Sequence, residues 1–250
     1  MKPMLVYPVG STAACRYGAD FLESFSVPLV DHPAPEVTHL LLDVPSFGPD
    51  GALRGGGDVR EILRMLPPEI TVVGGNLNHA ALDSYEKLDL LKDAEYLAVN
   101  AAITAECALQ TAAEKMDTIF AGTPVLILGW GRIGKSLGQL LKALGADVTV
   151  AARKEADRAL LKMLGYRAVD MTQQKPVLPG CRVVFNTVPE MILPKALTCI
   201  CKNCLFLDLA SKPGIEAENA IWARGLPGIL APESSGQLIA DTFLRLSGRD

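Results

Sequence analysis

The chain has 250 residues, of which 49% are hydrophobic and 21% charged, a balance that fits a packed α/β protein and excludes a disordered one. Its net charge of -4 leaves no basic surface able to release counterions from a phosphate backbone, which argues against nucleic acid as a partner and for a small molecule. No apolar run approaches the roughly 20 residues of a membrane span, and six cysteines are too sparse for a disulfide scaffold, so the expectation is a reduced, cytoplasmic protein.

In chain order, the first hundred residues alternate apolar strands with helical stretches, as in a small open α/β lobe. Strands are predicted over Met4–Val9, His39–Val44, Ile70–Gly74 and Tyr96–Asn100, and helices over Ala13–Phe25, Asp58–Met65 and Ala80–Leu91. The Pro/Gly-rich stretch Pro45–Gly57 reads as a loop. Its Gly55-Gly56-Gly57 run lacks both a strand leading into it and the Lys or Ser of a P-loop, so it is a turn and not a phosphate cradle.

From Thr104 onward, Ala105, Ala108, Leu109, Ala112, Ala113 and Met116 mark a helix with one small-residue face, capped by Thr104 and connecting two domains, 1–118 and 119–250. The strand Thr123–Leu128 then runs into Gly129-Trp130-Gly131-Arg132-Ile133-Gly134, which opens the helix Lys135–Leu144. Strand, glycines and helix occur in the order of a Rossmann dinucleotide site. Gly129 permits the tight turn, Gly131 lets the pyrophosphate approach the backbone, and Gly134 allows helix and strand to pack closely.

The next strand ends in Ala151-Ala152-Arg153-Lys154, where an NAD enzyme would carry Asp or Glu for the ribose hydroxyls. Asp147 lies 18 residues beyond Gly129 but at the wrong end of the strand. Arg153 and Lys154 suit a 2′-phosphate, which favours NADP over NAD. A helix that continues over Leu160–Leu164 and strands at Ala168-Val169 and Arg182–Asn186 follow. The last of these turns at Asn186-Thr187-Val188-Pro189, on the carboxyl side where open parallel sheets hold ligands, which places Asn186 and Thr187 towards the nicotinamide.

Cys199, Cys201 and Cys204 crowd together, but no fourth ligand is near and they run into the strand Leu205–Ala210, so they are expected as small buried hydrophobes with no metal. That strand ends in Ser211-Lys212-Pro213-Gly214, with Lys212 a candidate anchor for a substrate carboxylate. Gly225–Pro232 reads as a strand and turn. It leads into a final helix that Ser234 or Ser235 caps, whose face of Leu238, Ile239, Phe243, Leu244 and Leu246 is expected to pack back on the first domain.

Several of these segments together resemble the A subunit of dipicolinate synthase, a bacterial spore-associated enzyme. The matching pieces are Asn100–Glu106, the glycine turn, Ala152-Arg153, Asn186–Leu193, Leu207–Gly214, Gly225–Pro232 and Ser235-Gly236-Gln237. The chain departs from the family at Val9-Gly-Ser-Thr12, where the family has a Gly-Gly-Asp turn, and at Ile103 and Cys107, where it has Pro and Gly.

The resemblance implies NADP-dependent oxidation of dihydrodipicolinate, or its hydrated precursor, to the aromatic pyridine dicarboxylate, alongside a flavoprotein-like B subunit. A second copy of the chain is a further candidate partner. A dicarboxylate needs donors at both ends, and Asn100, Thr104, Ser211, Lys212, Ser234 and Ser235 are the candidates, with Glu106 as proton acceptor and Asn186 beside it in catalysis. Two alternatives stand: a non-catalytic NADP-binding regulatory protein, and a shikimate-dehydrogenase-like oxidoreductase. No histidine follows His79, which excludes a histidine-carboxylate pair built within the cofactor domain.

Overall fold

The structure is a computed structural model, and it describes residues 3–201 and 203–248. The chain divides into two compact units, Met1–Asn100 with Pro227–Asp250, and Ala101–Leu226. The last segment, placed by sequence in a second domain running to residue 250, thus groups with the first hundred residues.

The first unit is built on a four-stranded, all-parallel sheet in the order β1 (Val6–Pro8), β2 (His39–Leu41), β3 (Thr71–Gly74) and β4 (Glu86–Asp89). Helix α1 (Ala13–Ser24) follows β1, and Thr12 caps it by accepting a hydrogen bond from the Cys15 N–H at 3.2 Å. The short α2 (Val59–Leu63) is capped in the same way by Asp58.

The predicted helix over 80–91 does not form. A 3-10 turn at Ala80–Leu82 gives way to β4, whose pairing with β3 overrides the apolar spacing, and a second 3-10 turn follows at Leu90–Lys92. The Asp89 carboxylate holds the end of β4 to the loop after β3 by accepting from Asn76 and Leu77 N–H at 3.0 and 3.1 Å.

Residues 96–100 are not a strand. They belong to α3 (Ala94–Ala113), a 20-residue alanine-rich helix in which high helix propensity outweighs the short apolar run. Asp93 serves its first turn by accepting from the Tyr96 N–H at 2.7 Å. Thr104 therefore lies mid-helix and buried, and caps nothing.

The second unit carries a six-stranded, all-parallel sheet. Its strands are β5 (Pro124–Leu128), β6 (Asp147–Ala152), β7 (Arg167–Asp170), β8 (Val183–Asn186), β9 (Leu205–Asp208) and β10 (Ala220–Trp222), in the order β10-β9-β8-β5-β6-β7. Read from the other edge, this is the doubly wound Rossmann order, with the reversal of direction between β5 and β8. Helix α4 (Arg132–Ala143) follows β5, α5 (Glu155–Met163) joins β6 to β7, and the one-turn α6 (Lys195–Thr198) lies between β8 and β9.

Leu126, Leu128, Val184 and Phe206 form the centre of one core layer, and Cys201 and Cys204 pack into the same layer as the hydrophobic residues they were expected to be, whereas Cys199 is exposed and not the buried residue expected. Burial pushes the Cys204 thiol well above its ordinary range and holds Cys181 at about 12, so both stay protonated.

Residues 225–232 form α7 (Leu226–Leu230) in place of a strand. Helix α8 (Pro232–Leu246) starts with proline at its first position, where the absent N–H is no loss, and its N-cap is Ala231 without a side-chain bond. Ser235 is therefore not a cap: its hydroxyl donates back to the Ala231 carbonyl at 2.9 Å, and Ser234 is exposed one residue earlier.

As expected, α8 packs on the first hundred residues, against α1. Gly18 and Gly236 face one another there, and a Cβ on Gly236 would lie 2.7 Å from the Gly18 nitrogen and 2.8 Å from the Ala14 carbonyl. The absence of those two side chains lets the backbones approach.

Candidate nucleotide-binding site

The second unit presents its loops at the carboxyl ends of β5, β6, β8 and β9, and the reversal between β5 and β8 puts the glycine turn at their middle. Gly129 has φ +101°, which favours glycine, and a Cβ there would run into Thr187 and Val188. A Cβ on Gly134 would collide with the Gly129 carbonyl, so helix and turn touch backbone to backbone. Gly131 differs from both: it is exposed, and nothing lies within 4 Å of where its Cβ would be.

Gly131 is also the N-cap of α4 and offers no side-chain acceptor to the first-turn N–H groups. Open space in front of unclaimed N–H groups at the positive end of a helix is what a pyrophosphate requires. The residues present thus fit a dinucleotide. Arg132 and Ile133 stand in that first turn, Arg132 exposed and Ile133 half-buried.

Trp130 contributes to the turn through its backbone. Its ring lies against Gly138 and edge-on to Tyr166, with centroids 5.5 Å apart. The indole points at α4 and its N–H finds no protein acceptor.

At the end of β6, Ala152 is buried, and Arg153 and Lys154 are exposed beside it. The Arg153 guanidinium lies 3.3 Å from the Glu190 carboxylate. Arg158, one turn into α5, is committed elsewhere: it donates to the Ala152 and Arg153 carbonyls at 2.9 and 2.7 Å and pairs with Asp170 at 2.7 Å. Asp147, at the opposite end of β6, pairs with Arg167.

The turn after β8 is built from within. Asn186 is fully buried; its amide donates to the Val188 carbonyl at 3.0 Å and to Asp208 at 2.9 Å, and its oxygen accepts from the Val188 N–H at 2.9 Å. Thr187 donates its hydroxyl to the Leu128 carbonyl at 2.9 Å, tying this turn to the end of β5. Val188 is buried, whereas Pro189 is exposed.

Asp208, which no motif marks, is 2% exposed and accepts from Asn186 and from the N–H groups of Ala210, Gly214 and Ile215. It folds the loop carrying Ser211 and Lys212 against the 186–190 turn. A Cβ on Gly214 would meet the Asn186 amide and the Glu190 carbonyl. Ser211 and Lys212 are both exposed on this loop.

Among the other expected substrate residues, Thr104 and Glu106 belong to the second unit, on α3, Thr104 buried and Glu106 exposed. Glu106 is well inside that helix, so it is not a first-turn partner of the helix dipole. Asn100, Ser234 and Ser235 belong to the first unit.

Comparison with known proteins agrees with this geometry. Residues 102–197 match the family of the D-isomer specific 2-hydroxyacid dehydrogenase, NAD binding domain. Over 180 residues the chain is 32% identical to the A subunit of dipicolinate synthase from Bacillus subtilis; the matched part is 68% of this chain and spans 61% of that relative. In fold, it is similar to the crystal structure of the dipicolinate synthase A subunit from Bacillus halodurans, with TM-score 0.86 and 23% identity, covering 98% of each chain. The crystal structure of the Bacillus subtilis protein gives TM-score 0.83 and 22% identity, covering 99% of this chain and 96% of that one. The second unit is therefore a nicotinamide-dinucleotide-binding domain of the dehydrogenase type, and the resemblance seen in the sequence holds.

Proposed function

We propose that this chain, a relative of the dipicolinate synthase A subunit in sequence and fold, binds NADP and oxidises a dihydrodipicolinate-like ring to the aromatic dicarboxylate. The observation that carries the reading is the pairing of an open Gly131 cradle at the head of α4 with a cationic end to β6, at Arg153 and Lys154, where an NAD site would have a carboxylate. The turn of Gly129–Gly134 would hold the pyrophosphate, and Arg153 the 2′-phosphate, whose oxygens a planar guanidinium matches.

Oxidation removes a hydride and a proton from ring carbons. When bound, the nicotinamide supplies the hydride acceptor. The chain's own contribution is placement. Lys212, on the loop that Asp208 folds against the 186–190 turn, anchors a ring carboxylate, with Ser211 beside it. Glu106, an exposed carboxylate, accepts the proton.

Asn186 acts through the turn it holds rather than on substrate, because both its N–H donors are spent internally. A partner B subunit, flavoprotein-like, completes the proposed assembly in the cell. Because aromatisation favours the step, holding the ring and excluding water are the main demands on the protein.

The test is turnover of freshly generated dihydrodipicolinate with NADP, followed as NADPH appearance, with and without the B subunit. Appearance of NADPH in either mixture, lost on Lys212→Ala, supports the reading. No NADPH in both would overturn it and leave the chain as a nucleotide-binding protein without its own chemistry.

A further inference from the structure

The Arg153–Glu190 ion pair joins two loops on either side of the glycine turn. Arg153 is the first residue beyond β6 and Glu190 the fourth beyond β8, and these strands flank β5 on its two sides. The pair therefore crosses the end of β5, where the turn Gly129–Gly134 begins. Both side chains are largely in water, 66% and 61% exposed, so neither is needed to hold the core. Glu190 is the one group with which the Arg153 guanidinium is bonded among the described residues, and Arg158, the neighbouring cation, is already committed to Asp170 and two carbonyls.

We infer that Glu190 is a specificity-determining residue that competes with the cofactor's 2′-phosphate for Arg153, an inference that rests on the NADP reading above. A doubly charged phosphate arriving at this guanidinium meets a carboxylate 3.3 Å from it. It must either displace Glu190 and lose the pair, or share the cation and suffer the repulsion of like charges. NADH, with a hydroxyl in place of the phosphate, makes no such demand, and a carboxylate can accept from that hydroxyl. Glu190 thus narrows the preference that Arg153 creates.

An exposed ion pair is worth at most about fivefold in a competing equilibrium, and relief of like-charge repulsion adds to it. Glu190→Gln is therefore expected to tighten NADPH binding about three- to tenfold, and to leave NADH within about twofold or weaken it. The gain should fade at about 1 M salt, where the screening length is about 3 Å. It should also be smaller in an Arg153→Ala background, where no cation is left to compete for and only the like-charge repulsion remains.

Equilibrium titration of wild type, the two single variants and the double variant with NADPH and NADH, at low and high salt, reads all of this. Equal tightening of both cofactors, a gain just as large without Arg153, or no gain at all would overturn the inference. If NADPH binds the wild type and Glu190→Gln changes nothing, this inference alone fails; if neither nucleotide binds the wild type, the NADP reading fails and takes this one with it.

Discussion

A buried carboxylate, Asp208, gathers the N–H groups of Ala210, Gly214 and Ile215 and the amide of Asn186 around one pair of oxygens. Each donor is turned inward, so the loop bearing Ser211 and Lys212 has no competing shape while the carboxylate is there. Asp208→Asn puts an N–H where at least one backbone donor now points, and an unsatisfied buried polar group costs about 1–3 kcal/mol. Urea unfolding should show a loss of that order, and amides 210–215 should exchange faster; an unchanged midpoint would contradict the assignment. The glycines were legible in the sequence because Gly129 and Gly134 sit where a side chain would collide and Gly131 where a ligand must approach the backbone. Asp208 was not, because an aspartate ending a strand looks the same whether it faces water or four donors. Trp130 was legible as part of the turn, but its ring direction depends on Gly138, two turns along α4, and on Tyr166, which lies far from it in sequence.

Among the elements, the strands and helices around the glycine turn match their expected positions to within a few residues, since β–turn–α order and apolar runs specify them locally. The departures cluster where tertiary pairing decides. Strand β4 exists because β3 offers it an edge, and α3 starts ten residues before Thr104 because Asp93 and an alanine-rich run carry it back. Ser234 and Ser235 fit the pattern of caps, but Pro232 starts the helix earlier.

Asp93 also links two elements of the first unit. Arg245 of α8 donates to its carboxylate at 2.6 Å and lies 3.3 Å from Glu95. That hydrogen bond, with the Tyr96 N–H second, holds the Asp93 carboxyl below its ordinary range. The folded-state value is lowered, so the stabilisation is present above the unfolded value of about 4 and is lost as pH falls through the folded one. Arg245→Met keeps the stem and removes the charge. Its deficit in urea midpoint relative to wild type should be largest near neutral pH and shrink towards pH 3. A deficit independent of pH would mean that the guanidinium matters here only through packing.

At the scale of the whole chain, the first unit is discontinuous: residues 227–248 complete a core begun by residues 3–100, with Leu238, Ile239 and Phe243 buried. The second unit is continuous, and it carries the nucleotide site. Its fold class was legible because the second half follows strand, turn and helix in register with a known mechanism. The domain boundary was legible only in part: the apolar face of α8 was expected on the first domain, but the helix was counted with the second because chain order does not show where a compact unit closes. Among the described residues, no helix is long and apolar enough to cross a membrane.

The central claim, that the open Gly131 position receives the pyrophosphate of NADP, is tested most directly by titration calorimetry of the intact chain with NADPH and NADH, in wild type and Gly131→Val. Gly131 has φ -79° and open space around it, so valine should fill the approach without a clash and lower the melting temperature only slightly, through the loss of a favourable N-cap residue. The account predicts that wild type binds NADPH more tightly than NADH, and that Gly131→Val weakens NADPH by at least about tenfold, or ~1.4 kcal/mol. No heat with either nucleotide, or a valine variant that binds as wild type does, would contradict it.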